Sequence, residues 1–350
     1  MPLDDGACLH LRYAALPELP MRSTSGADVM LTEECSSPSV FFFYPRTGVP
    51  GQTPGLGFRG EEWDSIPGAR GCTPQSCGFR DLHAEFRAFG VEVFGVSTNS
   101  PEHQREFRER NHVPFHFLSD EKLELTRALK LPTFEFPVES GGPNTLLQRM
   151  AWYIEPDLAG VPRIVKVWYP VFPPDQNAAN VLGWLRDRMR IVCRPKIVSD
   201  QGFIEGELRK HWSDPKIWSR GHVYDADQLP ALVAKVDGEP AGLLTYAFLP
   251  ETDECEVVTL SSREETRGVG TLLLDRVVEI ARRQGCSRVF LTTGNENVHA
   301  LGFYQRRGWR LAALHAGSLA RARAAKPGIP IVAPNGIPIR DELELELPLR

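Results

Sequence analysis

Apolar positions along the chain change spacing repeatedly, from runs and alternations suited to strands to intervals suited to helices, and they do so in both halves. Val40 to Tyr44 is a compact apolar run suited to a strand buried on both faces, and the Gly/Pro-rich stretch from Pro45 to Gly71 that follows predicts a long loop. From Cys72 the spacing becomes helical, with Phe79, Leu82, Phe86 and Phe89 on one face, and VEVFGVST then reads as the next strand. A polar helix from Pro101 to His112, a short strand in FHFLSD, and an antiparallel pair in LQRMAWYIE and PRIVKVWYP complete this half. Asp175 stands where it can cap a helix running through Val181, Leu182 and Leu185 to about Arg190, and IVCRPKI then opens a new strand with almost no linker.

In the second half LPALVAKVD, a Gly238-Glu239 turn and PAGLLTYAFLP predict a hairpin, which ECEVVTLSS extends by a third strand. A helix from Gly268, the strand SRVFLTT, a helix in HALGFYQRRG, the strand WRLAALH and the alternating terminal strand IRDELELEL follow. The segment from Leu311 to Pro338 separates two strands that a hairpin could have joined, either to cover an acceptor site or as a packing or partner-binding excursion. The reading is α/β in both halves, with one domain over 1–190 and a second over 191–350.

A length of 350 residues agrees, since it suits two cores of ordinary size better than one. A formal net charge of -5, with no long Lys/Arg run, argues against nucleic acid or anionic lipid as a partner and for small molecules. The opening residues lack a basic segment followed by an apolar one, and no stretch is apolar for long enough to span a bilayer, so neither a secretory signal nor a membrane span is expected. Seven cysteines, scattered at 8, 35, 72, 77, 193, 255 and 286, point to a reducing, cytoplasmic compartment rather than a disulfide framework. Cys72 and Cys77 are the close pair; no second cluster completes a metal site around them.

The segment GARGCTPQSCGFRDLHAEF places Cys72 at a loop-to-helix junction, where unpaired backbone N–H groups and the helix dipole favour a thiolate. The plainer alternative is that both cysteines are small core residues. Residues 15 to 190 resemble the peroxiredoxins of the peroxiredoxin Q or bacterioferritin-comigratory-protein subgroup through FFFYP, GCTPQSCGFRD, FGVST, FLSD and QRMAWYIE. That resemblance implies a thioredoxin-like fold and no prosthetic group. It makes Cys72 the peroxidatic cysteine, Cys77 the resolving cysteine, Pro45 the loop proline, and Arg149 the arginine supporting the thiolate and the departing oxygen. Peroxide would be the substrate and a thioredoxin-like protein the reductant. Five residues apart on an ideal helix, the two Cα atoms lie about 8.6 Å apart, beyond the roughly 7 Å that a disulfide spans, so the helix start must unwind for them to join. The sequence departs from the family in having Ala69 where a threonine is usual, with Thr47 as the alternative hydroxyl.

The run ECEVVTLSSREETRGVGTLLLDRVVEIA joins a strand to a helix through an Arg-Gly-Val-Gly turn, suited either to holding a phosphate or simply to turning tightly. With NENVHALGFYQRRGWRL, it makes residues 191–350 resemble the GNAT acetyltransferases. By that resemblance acetyl-CoA is the cofactor, its pyrophosphate held by the amides of Arg267, Gly268, Val269, Gly270 and Thr271, its pantetheine arm near Leu260, with Asn297 opening the second signature. Tyr304 would protonate the departing thiolate. Glu256 either deprotonates an incoming amine, from a small molecule or a protein, or sits in a structural ion pair. The family usually has Gln or Arg where Glu265 stands. The expected whole is a bifunctional peroxidase and N-acetyltransferase; the alternatives are a peroxide-sensing domain that regulates the transferase, or a pair of degenerate binding modules.

Overall fold

The computed structural model describes residues 2–48, 70–135, 144–213, 215–263 and 268–349, in two compact units, 1–185 and 186–350. The first is built on a seven-stranded sheet. Its elements are β1 (Pro20–Ser23), β2 (Asp28–Met30), α1 (Leu31–Glu34), β3 (Ser39–Phe43), α2 (Cys72–Asp81), α3 (His83–Ala88), β4 (Glu92–Ser97), α4 (Pro101–Arg110), β5 (His116–Ser119), α5 (Glu124–Leu129), β6 (Thr133–Glu135), β7 (Thr145–Leu147), β8 (Met150–Pro156) and β9 (Pro162–Trp168), ending in α6 (Asn177–Met189), which runs across the boundary between the units.

The sheet order is β2-β1-β5-β4-β3-β8-β9, with β3, β4 and β5 mutually parallel and the flanking strands antiparallel. The central β3 is buried at every position because both its faces are covered. Phe42 points into one core with Phe79, Phe86 and Phe117, while Phe41 and Phe43 point into the other with Trp152 and Leu118. An apolar run without alternation is what such a strand requires. A Cβ on Gly95, next to Phe42 in register, would fall 2.3 Å from the Phe117 ring and 2.8 Å from Phe42, so this glycine makes room for the aromatic packing.

The second unit contains β10 (Ile191–Pro195), α7 (Gln201–Trp212), β11 (Lys216–Ser219), β12 (His222–Asp225), β13 (Ala231–Val236), β14 (Glu239–Leu249), β15 (Glu254–Ser262), α8 (Val269–Arg283), β16 (Arg288–Gly294), α9 (Val298–Gln305), β17 (Arg310–His315), α10 (Ser318–Ala325) and β18 (Glu342–Pro348). Its sheet order is β10-β13-β14-β15-β16-β18-β17, antiparallel except for the β15–β16 pair. The strongly amphipathic α8 buries Leu273, Leu274, Val277 and Val278.

Several elements differ from the sequence reading for local reasons. The helix expected from Cys72 through Phe89 is broken at Leu82, whose backbone leaves the helical region, so two short helices replace one. Asp175 lies inside a short 3-10 turn, Pro174–Gln176, and does not cap α6, which begins at Asn177. The hairpin turn is Asp237-Gly238, one residue earlier than expected; both residues have positive φ, 51° and 90°, as a two-residue hairpin turn demands. The polar helix has Ser100 as its cap, Oγ accepting from the His103 amide, and ends at Arg110. The short hairpins β6–β7 and β11–β12, the N-terminal strands and α7 were not anticipated; strands of three or four residues leave little periodicity to read.

No helix of the described residues is long and apolar enough to cross a membrane. Gly95→Ala is expected to destabilise the first unit by about 1–3 kcal/mol, the usual effect of overpacking a filled core. Urea denaturation would show this as a lower midpoint of the first unit's transition with unchanged slope.

Candidate functional site

In the first unit the parallel pairing of β3 with β4 requires a crossover, and α2 is its helix. Cys72 is the first residue of α2 and only 5% exposed. Arg149, in the two-residue gap between β7 and β8, donates from Nη2 to Cys72 Sγ at 3.2 Å and from Nη1 to Gln75 Oε1 at 2.7 Å. Gln75, fully buried one turn along α2, donates in turn to Asn177 Oδ1 at 3.0 Å. The guanidinium is thus aimed at the sulfur by a side chain from the sulfur's own helix. Two residues that follow β3 lie close enough to Cys72 to couple to it electrostatically: Arg46, whose pKa is lowered mainly by burial, and Tyr44, whose hydroxyl is pushed up by burial. Pro45 lies buried between them.

Thr47 does not serve as a free hydroxyl: its Oγ1 is bonded to His103 Nε2 at 3.1 Å and its amide donates to Asn99 Oδ1 at 3.1 Å, which fastens the start of the loop to α4. Ala69 lies outside the described residues. Cys77 is half-buried in α2, and no disulfide joins it to Cys72. The helix is continuous between them, so their Cα atoms keep the helical separation of about 8.6 Å. Gln75 and Asn177 were missed by the sequence reading, since a buried glutamine on a helix carries no signature of what it holds.

In the second unit the parallel pair β15–β16 is joined through α8, so the C-terminal ends of both strands and the starts of α8 and α9 fall at one end of the sheet. The pairing is short. It runs only from Glu254 to Val257 against Arg288 to Leu291, while β15 continues to Ser262 bonded to β14 alone. The strands therefore part, and the stretch holding half-buried Leu260 presents backbone without a strand neighbour on the β16 side. Gly268, with φ 81°, opens α8, and among the described residues nothing lies within 4 Å of where its Cβ would be. A glycine before a helix start suits close approach of an anion to first-turn amides. Arg267 and Glu265 lie outside the described residues.

The other predicted positions are more committed to structure. Val269 and Gly270 are buried, and a Cβ on Gly270 would fall 3.2 Å from the Phe303 ring, so this glycine admits α9 close to α8. Thr271 Oγ1 accepts from Arg307 Nε at 2.8 Å, and Asn297 Oδ1 caps α9 by accepting from the Ala300 amide at 3.2 Å. Tyr304 is 8% exposed, its ring against Phe303 and Trp309, and burial raises its pKa despite the nearby Arg307 charge. That shift makes its hydroxyl a weaker acid than a free tyrosine's.

Glu256 is 1% exposed, and both its oxygens are engaged: Ser219 Oγ donates to Oε1, Tyr224 Oη donates to Oε2 at 2.8 Å, and Arg220 Nη2 lies 3.6 Å from Oε2. These partners come from β11–β12 and its Arg220-Gly221 turn. Tyr224 and Arg220 are both half-buried and are the partly exposed members of this group. Asn295, at the end of β16, ties down the segment after β17 by accepting from the amides of Arg340 and Asp341 at 3.0 and 2.9 Å. Among the described residues no group of three or more His, Cys, Asp or Glu could hold a metal ion.

Comparison with known proteins divides the chain in the same way. The AhpC/TSA family model matches residues 64–157, and the acetyltransferase (GNAT) family model matches residues 200–309. The uncharacterized protein YxbD of Bacillus subtilis is 42% identical over 158 residues, 45% of this chain and 97% of its own length. Peroxiredoxin Bcp of the same organism is 26% identical over 171 residues, 49% of this chain and 92% of its own. The crystal structure of peroxidoxin BcpB from Mycobacterium tuberculosis is 22% identical and covers 50% of this chain and 96% of that one, with a TM-score of 0.39.

The contact at Gly270 changes what its replacement should do. Gly270→Val is expected to destabilise the second unit by about 1–3 kcal/mol without any ligand present, through collision with Phe303. A thermal melt identical to that of the unaltered protein would contradict it.

Proposed function

The chain joins a domain of the AhpC/TSA, or peroxiredoxin, family to a domain of the GNAT acetyltransferase family, and from that premise we propose a bifunctional enzyme that reduces peroxides through Cys72 and transfers acetyl groups from acetyl-CoA to an amine. Membership of both families supports enzymatic activity. The observation that carries the peroxidase half is the guanidinium of Arg149, 3.2 Å from Cys72 Sγ and braced by Gln75.

In that half the Cys72 thiolate attacks one peroxide oxygen, the O–O bond breaks, and the departing alkoxide or hydroxide takes up a proton, leaving Cys72 as a sulfenic acid. Arg149, with Arg46 near, faces the charge that moves from sulfur to oxygen. The Cys77 thiol then attacks the Cys72 sulfur, water leaves, and a disulfide forms once the first turn of α2 has opened. A thioredoxin-like dithiol would reduce it. The scatter of seven cysteines along the sequence favours a reducing, cytoplasmic setting for that exchange.

For the transferase half, the residues fit acetyl-CoA: the parted strands beside Leu260 offer backbone to an extended pantetheine arm, and the open turn at Gly268 offers amides to a pyrophosphate. Acetyl-CoA would supply the activated acetyl thioester. Tyr304 would give its proton to the thiolate released, although burial, by raising its pKa, makes it a weaker acid than a free tyrosine. Glu256 is too enclosed to meet an amine directly, so as general base it would act through Tyr224, whose hydroxyl already donates to it. The acceptor is a small-molecule or protein amine.

Cys72→Ser is expected to abolish peroxide consumption, whereas Cys77→Ser should complete one turnover and stop with a sulfenic acid on Cys72, detectable by dimedone labelling and intact-mass analysis. Sustained turnover in Cys72→Ser would sink the peroxidase reading. Tyr304→Phe keeps the ring and its packing, so kcat should fall by on the order of 10² to 10⁴-fold while acetyl-CoA affinity, measured by calorimetry, stays close to that of the unaltered protein.

A further inference from the structure

β17 is the last strand of the second unit's sheet and bonds only to β18. Arg310 to Leu314 are all exposed and His315 is half-buried, with Leu311 at 55% and Leu314 at 61%. Among the described residues no strand lies beside its outer edge. Protective charges stand only at its ends, Arg310 and His315; the centre is Leu-Ala-Ala-Leu. Edges of soluble sheets are normally blunted by central charge, proline, a bulge or a covering element, and of these the centre of this strand has a bulge alone.

The register shows how this edge is arranged. A bulge between Leu311 and Ala313 sets Leu311 opposite Leu345 and Leu314 opposite Leu343, while Arg310, Ala313 and His315 stand opposite Glu346, Glu344 and Glu342. Arg310 and His315 bond to Glu346 and Glu344, which confirms the side they occupy. In a regular strand two residues three apart point to opposite faces; here the extra residue brings both leucines to the same apolar face, at its uncovered margin.

We propose that β17 is the seam of a two-fold dimer, pairing antiparallel with β17 of a second copy of this chain. The strand is self-complementary about the point between Ala312 and Ala313: Leu311 falls opposite Leu314 of the second copy and Ala312 opposite its Ala313, the arrangement an isologous contact needs. The bulge makes this register work, because it leaves Leu311 and Leu314 in equivalent positions along the edge. Four leucines then close one apolar strip across the seam, and the two sheets become one. A six-residue ladder is smaller than a standard interface, which places the association among weak, transient contacts.

Sedimentation velocity on the full chain, from about 1 to about 100 µM, should show monomer giving way to dimer. Amide hydrogen exchange within 310–315 should slow as the dimer forms. Leu314→Glu and, separately, Leu311→Lys should weaken the dimer by at least about tenfold and remove the concentration dependence of that exchange, with circular dichroism unchanged because both side chains are exposed. A monomer at every concentration, a dimer unaffected by both variants, or a dimer with no exchange change at 310–315 would each overturn the proposal.

Discussion

Two parallel strands cannot be joined by a tight turn, and that constraint places the candidate sites of both units. The chain leaving the C-terminal end of β3 must cross over before it can run beside β3 again as β4, and α2 belongs to that crossover. Cys72 is the first residue of α2, so the crossover sets the sulfur where a helix begins. In the second unit β15 and β16 impose the same geometry, and Gly268 opens the helix between them. Each proposed chemistry therefore sits at a helix start that the topology, rather than any local preference, has supplied.

The two sites manage charge differently. At Cys72 the surroundings are largely apolar, with Tyr44, Phe79 and Val181 in the same core, and the polar groups are few and committed in sequence from Asn177 to Gln75 to Arg149 to sulfur. Such a chain fixes direction: Arg149 cannot turn without giving up its bond to Gln75 Oε1 in a buried setting. In the second unit the buried polar groups are many. Glu256, Glu342 and Glu344 are each under 5% exposed and share Ser219, Arg220, Thr292, Ser318 and Arg288 as partners. Removing one cation from that set would leave buried carboxylate uncompensated, a change that is costly in low dielectric.

That network also explains the β11–β12 hairpin. Arg220, in its turn with φ 48°, lies with its guanidinium 4.0 Å from the Phe290 ring centroid and within 3.6 Å of both Glu256 and Glu344. The hairpin thereby meets the sheet through charge and an aromatic face as well as through the apolar core that Ile217 shares with Val233 and Leu243. Tyr224, on its second strand, gains its position at Glu256 from this seating.

The sequence by itself determined the division into two α/β halves and the order of the major elements, because apolar spacing is local and survives without coordinates; Arg149 was reached only through resemblance to a family, and its contact with Cys72 belongs to the tertiary structure. FFFYP reads as a doubly covered strand, and it is one. The terminal alternation in IRDELELEL gives a strand with one leucine face and one glutamate face. It could not say that the glutamates would be covered, since covering them required β11–β12 and α10, elements too short or too irregular to announce themselves. Nor could it show that Thr47 is taken by His103, that Gly270 serves Phe303, or that Glu256 is closed off behind Tyr224. Those facts depend on which side chains distant in sequence arrive beside one another, and only the packed tertiary structure decides that, because each is settled by a competition for the same few ångströms of space.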